Sequence, residues 1–287
     1  MENTFKGITD PFVLKNGVRI PCVGLGTFKL TNDAEGVQVI ESAIVDCGYR
    51  HIDTAAAYKN EASVGKAVKA SGVPREKLFV TTKVWNVDRG YSQARQAFDL
   101  SLERLGLDYV DLLLIHWPAT QKHYMRWEQV NIDTWRALSE IYAAGKAKAI
   151  GVANFKPSHL EALMDEEIQP MVDQIEFHPG YYPKETAEFC RENGILVEAW
   201  SPLGRGKVLE SPVLEKIAAA HKKSTAQVAL RWILQHDALP LPKTTHLERM
   251  EENADIFGFT LTPAEMKAID EMPETGYTGQ DPDTVDF

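Results

Sequence analysis

From residue 23 onward, short apolar runs alternate with longer segments whose apolar positions recur every three or four residues. The runs fall at 23–25, 50–52, 78–82, 110–115, 147–152, 171–177, 195–200 and 238–241, and each predicts a strand. Near-continuous apolar content, as in Leu112-Leu113-Leu114-Ile115, marks strands buried on both faces, the habit of a parallel sheet covered by helices. The segments between them carry helix signals. Ala94, Ala97, Phe98, Leu102 and Leu105 form one apolar face, Asp133 is placed to cap a helix closed by Gly145, and Gly194 ends a helix beginning near Lys184. Ser224 with Gln227, and Thr262 with Glu265 behind Pro263, fit capping boxes. Ahead of the first unit, residues 12–14 and 18–20 flank Lys15-Asn16-Gly17, a hairpin whose Asn-Gly turn tolerates positive φ at both positions. It reads as a lid on one end of a larger body.

Eight such units predict an α/β fold of the (β/α)8 TIM barrel type, with the N-terminal β-hairpin as a cap and extra helices near the C-terminus. An open doubly wound sheet is the alternative, and one motif tests it. Gly24-Leu25-Gly26 ends a strand, but Thr27-Phe28-Lys29 follows, so the dinucleotide fingerprint G-x-G-x-x-G is incomplete and the glycines read as a tight turn. No linker, repeat or break in composition divides the chain, so residues 1–287 are expected to form a single domain.

Composition narrows the function. Hydrophobic residues at 44% and charged residues at 25% leave ample material for a large core. A net charge of −10 and a pI near 5.3 argue against binding nucleic acid or an anionic membrane, so any anionic ligand needs a local basic site. Cys22, Cys47 and Cys190 are odd in number and far apart, which predicts reduced, packed thiols rather than disulfides or metal ligands. The opening MENTFKGITDPF lacks the pattern of an export signal, and no stretch approaches membrane-spanning length. A cytoplasmic protein is expected.

In a barrel, polar residues at the carboxyl ends of the strands converge on one mouth, where reactions occur in this fold. Here those ends supply Gly26-Thr27, Asp53, Lys83, His116, Asn154, Gln174 with 176–178, Trp200-Ser201 and Lys243-Thr244. Taken singly, Asp53 with Lys83 reads equally well as a structural ion pair, His116 as a core histidine and Tyr58 as a loop aromatic. Together they suit proton delivery by a phenol. An ammonium beside Tyr58 is expected to lower its pKa, Asp53 to keep Lys83 charged and aimed, and His116 to hold or polarise the oxygen receiving the proton.

At these residues the chain resembles the aldo-keto reductase family over essentially its whole length. The matching stretches are GYRHIDTAAAYKNE at 48–61, TTKVWN at 81–86, DLLLIHWP at 111–118, AIGVANF at 149–155, EAWSPLGRG at 198–206 and LPKTTHLERMEEN at 241–253. The resemblance implies a catalytic tetrad of Asp53, Tyr58, Lys83 and His116, with Tyr58 as the acid, and NADPH as a cofactor bound without a Rossmann motif. It also implies cofactor contacts. Asn154 and Gln174 can hydrogen-bond a nicotinamide carboxamide and Trp200 offers its ring a flat face. Gly26, Thr27 and Asp53 would lie near the cofactor, and Ser201, Pro202, Leu203 and Gly204 would follow the pyrophosphate. Lys243, Thr244, Thr245, Arg249, Glu252 and Asn253 would serve the far end, where a bidentate guanidinium and an ammonium suit a 2′-phosphate and so favour NADPH over NADH.

Three positions depart from the family pattern: Ala153 and Thr244 stand where serine is usual, and Phe28 where many members carry tryptophan. Phe28, Tyr58, Trp85, His116 and Trp117 are the expected substrate contacts. The connection between Trp117 and Trp135 and the tail GQDPDTVDF are both short, which predicts an open pocket and a broad range of small-molecule carbonyl substrates. Such short loops resemble microbial members that reduce keto-sugar acids, methylglyoxal-like aldehydes or prostaglandin endoperoxides. A monomer is expected. Two rival readings are a cofactor-binding regulatory subunit of the same fold and a metal-dependent barrel hydrolase using His51, Asp53, His116 and His178.

Overall fold

A computed structural model describes residues 5–286. Strands β1 (Pro11–Val13) and β2 (Arg19–Pro21) form the expected antiparallel hairpin, with Phe12 opposite Ile20. Its loop differs from expectation in detail. Gly17 alone has positive φ there, Gly17 N donates to Leu14 O and Leu14 N to Val18 O, so Lys15, Asn16 and Gly17 form a three-residue turn closed by a left-handed glycine. Asn16 accepts from Val18 N through Oδ1 and donates to the Lys148 carbonyl.

The barrel strands follow: β3 (Leu25–Gly26), β4 (His51–Asp53), β5 (Phe79–Val84), β6 (Val110–Ile115), β7 (Ala147–Ala153), β8 (Val172–Glu176), β9 (Leu196–Trp200) and β10 (Leu239–Pro240). Each pairs in parallel with the next in chain order. The first and last also meet: Gly24 N donates to Pro240 O at 3.1 Å and Gly26 N to Pro242 O at 3.0 Å, which closes the sheet into a barrel. Pro240 lacks an N–H, so this strand edge contributes carbonyls only there, and Leu241 N bonds back to Ala199 O. Every residue of β5 and β6 is buried, one face toward the barrel interior and one toward the helices.

The closing seam explains the two glycines. Neither Gly24 nor Gly26 has positive φ, so the tight turn is not what they make. A Cβ on Gly24 would stand 2.6 Å from His51 Nδ1 and 2.6 Å from Leu241 Cδ2. The position needs glycine because the strands and an inward-pointing imidazole crowd it.

Among the described residues ten α-helices cover the strands: α1 (Ala34–Val45), α2 (Glu61–Ala70), α3 (Tyr91–Leu105), α4 (Trp127–Ala143), α5 (Pro157–Met164), α6 (Lys184–Glu192), α7 (Pro212–His221), α8 (Thr225–Gln235), α9 (Leu247–Ala254) and α10 (Pro263–Asp270). One helix follows each strand from β3 to β8, whereas β9 and β10 are each followed by two, which places the surplus near the C-terminus as expected. Both expected capping boxes form, Ser224 with Gln227 and Thr262 with Glu265. Gly145 and Gly194 adopt left-handed φ just past α4 and α6. Asp133 is not a cap: α4 begins six residues earlier and Asp133 accepts from Gln129 one turn back, because the apolar face continues through Val130 and Trp127. None of the helices is long and apolar enough to cross a membrane.

Gly24→Ala should destabilise the fold by about 1–3 kcal/mol, the usual cost of forcing a methyl group into a packed core. Urea unfolding followed by tryptophan fluorescence checks this, and a variant as stable as the parent would contradict the crowding at the seam.

Candidate active site

The barrel presents its groups at the carboxyl ends of neighbouring strands. Asp53 ends β4, Lys83 is the penultimate residue of β5, and His116 and Asn154 immediately follow β6 and β7. Gln174 lies within β8 and Trp200 ends β9. Tyr58 arrives differently, at the end of a short 3-10 turn (Ala56–Tyr58) leading from β4 into α2. That turn is anchored by Asn60, whose amide donates to Thr27 O and Leu30 O and accepts from Thr54 Oγ1, so the phenol stands on a loop fixed by buried hydrogen bonds.

Lys83 organises the centre. Its Nζ lies 2.7 and 2.8 Å from the two oxygens of Asp53, 2.9 Å from Thr54 O and 3.4 Å from Tyr58 Oη. The ammonium has no exposed surface, so these four oxygens replace its water. The Tyr58 ring meets His116 edge-on at 5.6 Å between centroids and tilts against Phe28 at 5.1 Å. Trp85 meets His116 edge-on at 5.0 Å. Thus the four residues expected to work together are gathered in one place. Asp53, Tyr58 and His116 line a cleft of about 1160 Å³, and Lys83 sits behind them.

The electrostatics depart from expectation at one group. Burial pushes the Tyr58 phenol above its ordinary value, Lys83 pulls it back and Asp53 adds to the rise, so the net shift is upward. The expected lowering by the ammonium is present but smaller than the cost of placing a phenolate out of water. Burial alone would depress Lys83, yet Asp53 and Tyr58 hold its ammonium above the ordinary lysine value. Burial, then the charges of Lys83 and Arg89, take His116 well below the usual histidine range, so its imidazole is neutral near pH 7. His116 Nδ1 is buried with no hydrogen-bond partner among the described residues.

One wall of the cleft suits a flat, polar ring. Trp200 Nε1 donates to Asn154 Oδ1 at 2.8 Å, and Asn154 Nδ2 donates to His116 O at 2.9 Å, which ties the indole to the histidine strand through one amide. Asn154 holds a left-handed backbone (φ 63°), as asparagine tolerates. The cleft then runs past Ser201, Pro202 and Leu203 to Lys243, Thr244, Arg249, Glu252 and Asn253, around the loops after the seventh and eighth barrel strands. Neither Lys243 nor Arg249 forms an ion pair among the described residues, so both cations are available to an anion. Gly26, Phe28, Trp85 and Trp117 line the cleft as expected.

Three expected contacts fall outside it. Thr27 is wholly buried and donates through Oγ1 to Asp53 O. Gly204 faces Val208 and His178, within 2.7 and 3.3 Å of where a Cβ would be, and Arg205 and Gly206 line the cleft instead. Thr245 is exposed and does not line the cleft. Lys29 and Lys59 line the cleft without having been expected there, and Gln280 of the tail lines it as well. Lys29 lies close enough to Lys243 to depress its ammonium further after burial has done so. The signal for Lys29 was its place three residues past the end of the first barrel strand.

A family model described as the Aldo/keto reductase family matches residues 22–274. The chain belongs to the aldo/keto reductase family. It is 50% identical over 281 residues to a glyoxal reductase of Bacillus subtilis (strain 168), covering 98% of this chain and 99% of the relative. Among solved structures it resembles an aldo-keto reductase from a Medee basin deep-sea metagenome library, with 40% identity, a TM-score of 0.89 and coverage of 96% and 100% of the two chains. A Bombyx mori aldo-keto reductase solved in complex with NADP is 35% identical with a TM-score of 0.83, covering 92% of each chain. As a member of this family, the chain is an oxidoreductase of carbonyl compounds.

The metal-hydrolase alternative finds no footing in the arrangement: among the described residues no group of three or more His, Cys, Asp or Glu side chains is placed to share an ion. His178 bonds to Pro179 O and Glu176, and His51 to Thr81.

The two shifts set the pH response of this aldo/keto reductase. With His116 depressed it stays neutral, and with Tyr58 raised it stays protonated, so kcat/KM for carbonyl reduction should be level from about pH 6 to 7.5. A pH–rate profile with an inflection near the ordinary histidine value of 6.5 would contradict the neutral imidazole.

Proposed function

We propose that this aldo/keto reductase reduces aldehydes and ketones to alcohols at the expense of NADPH, with Tyr58 donating the proton. The observation that carries the reading is the Lys83 ammonium, wholly buried, held by Asp53 and within 3.4 Å of a phenol on the cleft wall. Bound NADPH supplies the hydride. The residues present fit such a group: an indole face and two amides at one end of a continuous cleft, two unpaired cations at the other. The NADP in the Bombyx mori neighbour supports the same cofactor for this chain.

The protein's own part is positioning and proton supply. His116 and the Tyr58 hydroxyl face the same space from two sides, and a carbonyl oxygen there meets a neutral donor and an acid. As negative charge grows on that oxygen, the phenol gives up its proton. Lys83 stabilises the phenolate left behind, and Asp53 keeps Lys83 aimed and neutralised overall. Trp200 and the amides of Asn154 and Gln174 orient the nicotinamide end, while Lys243 and Arg249 take the 2′-phosphate.

Phe28, Trp85 and Trp117 give the substrate end apolar walls with few polar anchors, which supports a broad carbonyl range including small dicarbonyls, the class named for the Bacillus subtilis relative. Gln280 of the tail lines the cleft, which supports a part for the tail at the substrate end. A regulatory role without turnover is disfavoured by the complete set of Asp53, Tyr58, Lys83 and His116. One chain supplies every group, which supports a working monomer of one domain, residues 1–287; a cytoplasmic setting remains part of this reading from the three free cysteines.

Tyr58→Phe should abolish turnover of p-nitrobenzaldehyde while leaving NADPH binding nearly unchanged, read by loss of the NADPH absorbance band and by tryptophan quenching. Retained turnover would remove Tyr58 from its role. Arg249→Met should weaken NADPH at least about tenfold and NADH hardly at all, since a charge-assisted hydrogen-bond pair is lost only with the 2′-phosphate. An equal loss for both cofactors would contradict that assignment.

A further inference from the structure

Beneath Asp53, inside the barrel, lies a second carboxyl that the reaction does not use. Glu198, in β9 two residues before Trp200, has no exposed surface. Its Oε2 accepts from Gln174 Nε2 at 2.7 Å, and the same nitrogen donates to Asp53 Oδ2 at 2.8 Å. Gln174 has only two N–H groups, and both are spent on carboxyl oxygens on either side of it. Its Oε1 has no partner among the described residues, and the side chain lines the cleft. Turning the amide over would set Oε1 against two oxygens at once, so the neighbours decide which end faces the cleft.

We propose that Glu198 is a positioning residue for the cofactor: with Asp53 it pins the Gln174 amide so that a hydrogen-bond acceptor, not a donor, is presented to the bound nicotinamide. The inference rests on the reading of the cleft given above. A carboxamide offers an N–H to that acceptor, whereas a nicotinic acid carboxylate in its place would bring oxygen against oxygen. The site thereby selects the amide form of the cofactor.

The other groups around Glu198 are compatible with this role. His51 Nε2 stands 3.8 Å from Glu198 Oε1 and bonds to Thr81 Oγ1 at 3.1 Å. Burial, then Lys83, depress His51 to about 3, so it brings no positive charge. Burial, then Asp53, push the Glu198 carboxyl up to about 8. In either protonation state one oxygen remains to accept from Gln174, because a proton on Oε1 leaves Oε2 free. Without Glu198, the amide keeps only its Asp53 bond and can pivot about it.

The test compares binding of NADP+ with binding of its nicotinic acid analogue, both read by tryptophan quenching. The parent protein should prefer NADP+ by about tenfold or more, since a polar site facing the wrong partner is left unpaired. Glu198→Met should narrow that ratio by about three- to tenfold, the worth of one ordinary hydrogen bond, and Glu198→Gln, whose carbonyl still accepts from Gln174, should restore it. In a Gln174→Met background, Glu198→Met should change the ratio no further, because its effect passes through the amide. A ratio indifferent to Glu198→Met, or a change that persists without Gln174, overturns the proposal. Should Glu198→Met not fold, a crystal structure of the parent with NADP+ decides: Gln174 Nε2 still on Glu198 and Oε1 on the carboxamide nitrogen supports it, and an amide turned away overturns it. If the parent binds no NADP+ at all, the cofactor reading falls first, which distinguishes that failure from an unchanged ratio.

Discussion

The contact on which this site depends is the ion pair between Lys83 and Asp53. Removing an ammonium and a carboxylate from water costs several kcal/mol per ion, about as much as their attraction returns, so such a pair survives only when its remaining valences are filled. Here they are. Thr54 O and Tyr58 Oη complete the ammonium, while Gln174 donates to the carboxylate. A purely structural role would be met as well by two packed aliphatic side chains. What aliphatic side chains cannot do is hold a positive charge against a phenol at the wall of a cleft. The cost of the pair is understandable as the condition for that charge.

The same burial explains why Tyr58 titrates upward instead of downward. An ammonium expected beside it at the barrel mouth, that of Lys83, suggested a phenol made more acidic, but sequence does not report how much water remains around the ring. With the ring packed between Phe28 and His116, desolvation outweighs the ammonium. A raised value does not disqualify an acid. The phenol must be protonated before it can donate, and the alkoxide it meets is a far stronger base. The role of Lys83 is to limit the rise and to soften the phenolate's charge once the proton has gone.

Much of the architecture was legible because it follows from local chemistry. Apolar runs buried on both sides announced the eight strands, and Ser224 with Gln227 or Thr262 with Glu265 announced helix starts through pairs of residues only three apart. What escaped were features set by distant neighbours. Gly24 looked like a turn because the reason for its small size, His51 and Leu241 pressing on it across the seam, is contributed by residues remote in sequence. Asp133 looked like a cap because nothing in its own vicinity shows that the helix had already begun at Trp127. In the site, strand-end polar residues were found from spacing alone. Thr27, Gly204 and Thr245 were misplaced because a residue beside a strand end can point into the wall or the solvent as readily as into the cleft, and only packing decides.

An acidic protein that recognises an anionic cofactor must solve two problems in one cleft, and this chain separates them by distance. At the far end, Lys243 and Arg249 have no ion pair among the described residues and Lys29 lies near Lys243, so an anion arriving there relieves the repulsion on the Lys243 ammonium. At the reacting end the opposite rule applies: the charges of Lys83 and Asp53 are paired and buried, because an uncompensated ion beside the carbonyl would bind water and blur the geometry. Long-range repulsion from a net charge of −10 is screened within about 8–10 Å at physiological salt, so the local cations decide once a ligand is near. The barrel makes the separation possible, since β4, β5 and β6 supply the reacting end while β9 and β10 lead to the phosphate end. Gln174, within β8, and Asn154, just past β7, carry neutral amides where a charge of either sign would disturb both ends.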